Sequence, residues 1–145
     1  MQNLTFLSIF RNAVNAYNIL CQPILAEYEL PQVSFDILMF LANHPDHCTA
    51  QEISEMRMIK KNLVSVHVKK LVDAGYLQRG SVDGDRRKVA LSCTEKAAPI
   101  IRAGTAMQEN YYARLAQNIC LDHWDIYKET VEIMSINIDR IIREA

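Results

Sequence analysis

Residues 49–94 read TAQEISEMRMIKKNLVSVHVKKLVDAGYLQRGSVDGDRRKVALSCT, and the order of signals in this stretch decides the fold. It opens with Thr49, and Glu52 follows three residues later. At this spacing the hydroxyl and the carboxylate can each bond an amide that the first turn of a helix leaves unpaired. The pattern therefore predicts a short helix that starts after Thr49 and ends near Met56, with a turn at residues 59–61.

A second helix is predicted to open with, or be capped by, Asn62 and to end at Ala74, because Gly75 suits the left-handed position that terminates helices. Apolar residues recur along one side of it at helical spacing, which indicates a face packed on a core. These residues are Val64, Val68, Leu71 and Val72. The opposite side presents Asn62, Leu63, Ser65, Val66, Lys69 and Lys70.

Two short segments on either side of Asp83-Gly84-Asp85 predict a β-hairpin. The first covers residues 76–79, and the second, residues 88–93, alternates apolar and polar side chains. Two short helices joined by a tight turn and followed directly by a hairpin form a winged helix-turn-helix. The predicted fold class is therefore mainly α with a small β-hairpin wing.

Long helices are predicted on both sides of this lobe. Residues 4–28 carry apolar residues every three or four positions, and Pro23 is expected to kink or divide this helix. A helix after the hairpin is expected to run to about Ile119, and a last helix follows it. A further helix is predicted to start at Ser34, before the lobe's capping box. Ser34, Thr94 and Asp122 are the cap candidates of this helix, of the helix after the hairpin and of the last helix.

Charge is segregated along the chain. Nine basic and three acidic residues lie between Arg57 and Lys88, whereas the whole chain has a formal charge of −1. A basic segment within an otherwise acidic protein is typical of a surface that binds a polyanion.

Other features narrow the class of protein. The sequence contains no apolar run long enough to span a membrane, and its start lacks the basic and apolar regions of a secretory signal. We therefore expect a cytoplasmic protein that does not bind membranes. Its four cysteines, Cys21, Cys48, Cys93 and Cys120, are widely spaced and indicate reduced thiols.

The second helix and the hairpin tip carry side chains suited to DNA. The helix fits the major groove, where Asn can bond adenine bidentately and Ser can bond either base edge, while lysines favour phosphate. Arg86 and Arg87 lie at the predicted hairpin tip. The flat, weakly hydrated guanidinium suits the narrow minor groove, and Asp85 is expected to pair with one arginine and hold the loop.

Residues from about 30 to 97 resemble the MarR family of bacterial transcription regulators, and the flanking helices extend the likeness over nearly the whole chain. The resemblance rests on TAQEIS at 49–54, KNLVS at 61–65, LVDAGYLQR at 71–79 and DRRK at 85–88. Residues 93–97, CTEKA, stand where the family usually has Leu-Thr-x-Lys-Gly. Cys93 and Ala97 are therefore departures from the pattern.

The resemblance implies one MarR-like domain over residues 1–145. Residues 31–94 would form the DNA-binding lobe, and residues 4–30 and 95–145 would form helices that interlock in a two-fold homodimer. Such a dimer binds a pseudo-palindromic operator with one recognition helix in each of two successive major grooves. We expect this protein to act as a repressor. The implied DNA contacts are Lys61, Asn62, Ser65, Val66, Lys69, Arg86 and Arg87. The expected interface residues are Leu7, Phe10, Val14, Met134, Ile138 and Ile141.

Members of the family also bind small aromatic or lipophilic effectors between the dimerisation core and the DNA-binding lobe. Aromatic and methionine side chains that could line such a pocket, or simply pack in the core, are Tyr17, Tyr28, Phe35, Met39, Tyr111 and Tyr112.

Three alternatives remain open. One is a redox sensor through Cys21 or Cys93, since one branch of the family uses a cysteine near the first helix. Another is a metal sensor, although Pro45 and the tight spacing indicate a polar loop at His44, Asp46, His47 and Cys48. The third is a winged helix that contacts only protein. Hydrolase, P-loop and zinc-protease motifs are missing from the sequence, so we expect that the protein has no enzymatic activity and binds no cofactor or metal.

Overall fold

A computed structural model describes residues 2–46 and 48–145, with side chains from residue 7 onward except that of Arg86. The elements in this part are α1 (Gln2–Tyr28), α2 (Gln32–Asn43), α3 (Ala50–Arg57), α4 (Lys61–Asp73), β1 (Leu77–Val82), β2 (Asp85–Cys93), a 3-10 turn (Glu95–Ala97), α5 (Ala98–Leu115) and α6 (Leu121–Glu144). This order confirms the predicted fold class. The chain divides into two compact units, Met1–Glu109 and Asn110–Ala145.

The core of the first unit is centred on α2. Phe35, Ile37 and Leu38 on this helix are fully buried, and residues of α1, α3, α4, the hairpin and α5 pack into the same cluster. Gly104 of α5 permits the close approach of α5 to α2, because a Cβ at this position would collide with the Met39 sulfur. The winged lobe is therefore built on a helix that is buried along most of its length.

The first helix is not divided at Pro23, which was one of the two predicted outcomes. Pro23 lies inside α1, which continues unbroken from Gln2 to Tyr28. A proline removes one helical hydrogen bond and crowds the preceding turn. Cys21, Ile24 and Leu25, which flank Pro23, are all buried in the core, so tertiary packing holds the helix together across the proline.

The turn of the helix-turn-helix forms as expected. Thr49 and Glu52 make the capping box at the start of α3: the Glu52 amide donates to the Thr49 hydroxyl, and the Thr49 amide donates to the Glu52 carboxylate. The helix ends at Arg57, and the next residue, Met58, adopts a left-handed conformation with φ 54°. The Ser54 hydroxyl donates to the Ile59 carbonyl at 2.6 Å and closes the turn.

The wing is a two-stranded antiparallel hairpin in which Leu77 pairs with Cys93 and Ser81 pairs with Val89. Gly84 at its tip has φ 81°, a conformation that glycine adopts without strain. The Leu91 amide donates to the Cys48 carbonyl at 2.7 Å, which ties the hairpin to the segment before α3.

Predicted caps at four helix starts were wrong. Lys60 and Pro31 precede α4 and α2 and make no side-chain cap, so Asn62 and Ser34 lie inside those helices. Thr94 is followed by the 3-10 turn and bonds the Gly75 carbonyl, and α5 ends at Leu115 rather than near Ile119. Asp122 lies in the first turn of α6, after Cys120. Local residue preferences specify the boundaries of a helix less well than its existence.

The last helix, α6, lies in the second unit. The rest of the described chain buries none of its residues, although an apolar set runs along it. Across the described residues, we find no helix with the length and apolar character that a membrane crossing requires.

We expect Thr49→Ala to lower the free energy of unfolding by about 1 kcal/mol, because the Glu52 amide loses its acceptor and the Glu52 carboxylate loses the hydroxyl that donates to it. Urea unfolding followed by circular dichroism measures the change. Thr49→Ser retains the hydroxyl and should remain within about 0.5 kcal/mol of the parent protein. Equal losses in both variants would contradict a role for the cap.

Candidate nucleic-acid interface

The two faces of α4 are separated as the sequence predicts. Val64, Val68 and Leu71 are at most 4% exposed and hold the helix on the core. Exposed residues on the other side include the predicted contact residues Lys61, Asn62, Ser65, Val66 and Lys69. Val66 adds an apolar group to this side and is 50% exposed. The arrangement presents hydrogen-bonding, apolar and cationic groups together.

Lys69 has a partner within its own helix. Its ammonium lies 2.6 Å from a carboxylate oxygen of Asp73, one turn further along α4, and both side chains are largely exposed. Exposed pairs of this kind add little stability, so the ammonium can exchange the carboxylate for another anion at low cost. Lys69 is therefore available to a phosphate in spite of the ion pair.

A buried polar contact missed by the sequence analysis holds the middle of α4. The Ser34 hydroxyl and Nδ1 of His67 are joined by a hydrogen bond of 2.8 Å, and both residues are buried. Burial lowers the pKa of His67, and the nearby Lys70 ammonium lowers it further. Each residue looks ordinary by itself, because 33 positions separate them and the pairing exists only in the folded chain.

The wing tip is shaped by Asp85 through a bond to the backbone. The Asp85 carboxylate accepts a hydrogen bond from the backbone amide of Arg87 at 2.9 Å. Because a backbone bond holds the turn, the exposed Arg87 guanidinium is not needed to maintain it. Arg86 follows Asp85 in the same strand, and its side chain lies outside the described atoms.

Two clefts border the hairpin. The larger, about 530 Å³, lies between α3 and β2 and is lined by Glu52 and Glu55 on one side and by Arg87 and Lys88 on the other. The smaller, about 160 Å³, is lined by Arg79 together with Ser65 of α4. Arg79 was not among the predicted contact residues, and the fold brings it to the same cleft as Ser65, which was.

Arg57 contributes less to the basic surface than its charge indicates. Its guanidinium lies 3.6 Å from the carboxylate of Asp36 on α2, which is mostly buried. Burial raises the pKa of Asp36, while the Gln32 amide and Arg57 act in the opposite direction. This pair ties the end of α3 to α2.

The residues predicted to join two copies are mostly exposed. Leu7, Phe10 and Val14 on α1 and Ile138 and Ile141 on α6 are each more than 40% exposed in the single chain. Met134 on α6 is partly buried. Large apolar side chains at this density on a surface are typical of an interface.

The predicted effector residues fall into two groups. In the first unit, Phe35 and Met39 are buried in the core and Tyr28 packs against it. Tyr17 and Met39 border a cavity of about 50 Å³, and the Tyr17 phenol accepts a hydrogen bond from Gln108. In the second unit, the rings of Tyr111 and Tyr112 meet edge to face at 5.4 Å.

The two cysteines considered for redox sensing, Cys21 and Cys93, have the properties of unreactive thiols. Cys21 is fully buried, and Cys93 is partly buried with its thiol donating to the Leu38 carbonyl. Burial raises the pKa of both thiols. A sensor cysteine needs a lowered pKa and access to solvent, so these surroundings disfavour the redox alternative.

The loop considered for a metal offers few free ligands. The His44 Nδ1–H donates to the Phe40 carbonyl at 3.0 Å, and the two rings stack. His47 lies outside the described residues. Among the residues that are described, no three His, Cys, Asp or Glu side chains are grouped closely enough to hold a metal ion.

Residues 28–88 match the family model for the MarR family. This segment, residues 28–88, belongs to the MarR family. This match confirms the resemblance inferred from the motifs, and it covers α2, α3, α4, β1 and the first part of β2. A search of curated proteins finds none that matches the chain.

Solved structures extend the MarR-family likeness to the flanking helices. The transcriptional regulator PA3341 superposes with a TM-score of 0.82 at 20% identity, over 93% of this chain and 98% of that one. BpsR from Bordetella bronchiseptica, whose DNA binding is regulated by 6-hydroxynicotinic acid, has a TM-score of 0.68 at 16% identity, over 90% and 98% of the two chains. A variant of MepR from S. aureus bound to an oligodeoxyribonucleotide has a TM-score of 0.58 at 16% identity, over 92% and 97%. At these identities the likeness shows a shared fold.

The buried histidine predicts a pH dependence of stability. In the unfolded chain His67 takes up a proton near its ordinary pKa of 6.5, whereas in the folded protein it stays neutral to lower pH. The unfolded state therefore binds more protons below this pH, and the free energy of unfolding falls as the pH is lowered through it.

Urea unfolding between about pH 8 and about pH 5 measures this slope. In His67→Asn, where the amide can still bond Ser34 but cannot titrate, the slope should be shallower. An unchanged slope would contradict the assignment to His67.

Proposed function

We propose that this protein is a sequence-specific regulator of transcription that binds double-stranded DNA. The observation that carries the proposal is the exposed face of α4. The opposite face is anchored in the core by Val64, Val68 and Leu71, so the helix can enter a major groove as a rigid element. The MepR structure supports it, since that protein of the same fold holds an oligodeoxyribonucleotide.

Each α4 residue would have a distinct part in binding. Asn62 and Ser65 lie in the first half of the helix and carry groups that bond base edges, and Val66 can contact a thymine methyl group. Lys61 and Lys69 would bind phosphate and fix the register. Arg87, with Arg86 beside it at the wing tip, would reach an adjacent minor groove.

We further propose that the regulator acts as a homodimer and a repressor on a pseudo-palindromic operator. The exposed apolar residues of α1 and α6 support the dimer, because association with a second copy would remove them from water. A two-fold dimer presents two recognition helices to two half-sites. A repressor then acts by occupying the operator.

An effector could release the DNA through the cavity beside Tyr17. The BpsR structure supports this, since regulation of that protein involves a small aromatic acid. The cavity is about 50 Å³, whereas occupied ligand sites usually measure about 300–1,000 Å³. An effector would therefore have to open it, displacing Met39 or the Gln108 amide that bonds Tyr17.

Selection of bound duplexes from a random pool tests the function directly. A two-fold symmetric consensus supports a sequence-specific dimer, and recovery of unrelated sequences contradicts specificity. Absence of any bound duplex would favour the winged helix as a module for protein contact.

The wing predicts a salt-dependent contribution to affinity. We expect Arg86→Ala with Arg87→Ala to weaken binding of the selected duplex, and the log–log salt slope to fall by about 0.9 for each lost phosphate contact. Fluorescence anisotropy over a salt series measures both. The variant Arg102→Ala with Lys128→Ala removes two exposed cations outside the winged lobe and should bind like the parent protein. Equal behaviour of the two variants would remove the wing from the mechanism.

The dimer predicts a position-specific effect of charge on α6. Ile138→Glu places a carboxylate among the exposed apolar residues of this helix and should convert the dimer to monomers, because an unpaired charge is costly to bury. Asn137→Glu, at the neighbouring exposed position, should leave the dimer intact. Sedimentation velocity distinguishes them, and a stable dimer for Ile138→Glu would place the interface elsewhere.

A further inference from the structure

A cluster of bonds joins the end of α4 to the segment that starts α5. Three successive carbonyls after the helix, those of Ala74, Gly75 and Tyr76, each accept a hydrogen bond from this segment. The Lys96 ammonium donates to Ala74 at 2.6 Å, and the Thr94 hydroxyl donates to Gly75 at 2.5 Å. The Thr94 amide donates to Tyr76 at 3.0 Å. We call Thr94 and Lys96 the clamp.

The clamp is chemically matched to the end of a helix. The last carbonyls of a helix lack partners within it and carry partial negative charge, so a cation bonded to one of them is favoured. Lys96 makes a second contact, since its ammonium lies 4.8 Å from the centre of the Tyr76 ring, within the range of a cation–π interaction. Gly75, with φ 82°, turns the chain so that these carbonyls face the clamp.

The clamp holds the end of α4, so it can affect how this helix is oriented for DNA recognition. The start of α4 has no side-chain cap at Lys60, and the helix is tethered at its middle by His67 and beyond its end by the clamp. A helix of this length rises about 18 Å from Lys61 to Asp73. Lys96 therefore lies far from the proposed base-contacting residues, and a change in helix orientation at the clamp would be transmitted along α4 to its start.

We propose that Lys96 is a positioning residue for the recognition helix: its ammonium, with the Thr94 hydroxyl, orients α4 for DNA without contacting DNA. The inference rests on the proposed function. It separates Lys96 from Lys61 and Lys69, whose charges would act directly on phosphate. Removing the charge of Lys96 would lower the affinity of the protein for its duplex while the number of phosphate contacts stays the same.

The test compares Lys96→Met with Lys96→Arg. The probe is a fluorescein-labelled duplex recovered by selection with the parent protein, and anisotropy is measured over a salt series. We expect Lys96→Met to weaken binding about tenfold with an unchanged log–log salt slope, and Lys96→Arg to restore most of the affinity. Lys128→Met, which removes another exposed lysine from an ion pair, is the matched control and should bind like the parent protein.

Three results would overturn the proposal. Parent-like affinity of Lys96→Met shows that the clamp does not orient the helix. A salt slope reduced by about 0.9 per lysine lost shows that Lys96 contacts phosphate itself. Equal losses of affinity in Lys96→Arg and Lys96→Met show that the positive charge of Lys96 does not account for its effect on binding.

Thr94→Val keeps the proposal testable if Lys96→Met does not fold. It removes the hydroxyl bond to Gly75 and should also weaken binding without changing the salt slope, and parent-like binding contradicts the clamp. Failure of the parent protein to select any duplex overturns the proposed function together with the clamp. Failure of the clamp alone leaves the parent protein bound to its duplex.

Discussion

The two-sided character of α4 is the constraint on which the rest of the molecule depends. A helix can present one face rigidly to a partner only if the other face is fixed, and Val64, Val68 and Leu71 fix it by burial in the core. Each buried aliphatic side chain contributes on the order of 1.5–3 kcal/mol, more than a surface ion pair supplies. The core around α2 therefore determines where the residues of the exposed face point.

Polar contacts restrict the position of α4 more narrowly than the packing of its apolar face does. The Ser34–His67 bond prevents α4 from sliding freely over α2, because burying either group without its partner is unfavourable. The clamp of Thr94 and Lys96 acts at the end of the same helix. Hydrophobic packing tolerates small shifts, whereas hydrogen bonds select one geometry, and recognition of a base edge requires that selection.

The second unit shows the opposite balance between burial and exposure. Its long helix α6 buries no residue within the described chain, yet it carries isoleucines along its length. In the proposed dimer this helix would gain stability from a partner surface rather than from its own chain. A dimer would couple this gain to the spacing of the two recognition helices.

The sequence by itself determined the winged helix-turn-helix, because its signals are local: the capping box at Thr49, the left-handed Gly75 and the turn at Gly84 each act within a few residues. It also determined which face of α4 is buried, since helical periodicity is fixed by backbone geometry. It left open whether Pro23 kinks or divides α1, which core packing keeps undivided, and it wrongly placed helix caps at Ser34, Asn62, Thr94 and Asp122.

Only the tertiary structure decided the pairings between distant residues. Ser34 with His67, Asp36 with Arg57 and Gly75 with Thr94 have no signature in the chain, because their energies depend on distances and burial that exist only after folding. Local signals thus specify the elements of this protein, and long-range packing specifies how the recognition helix is held.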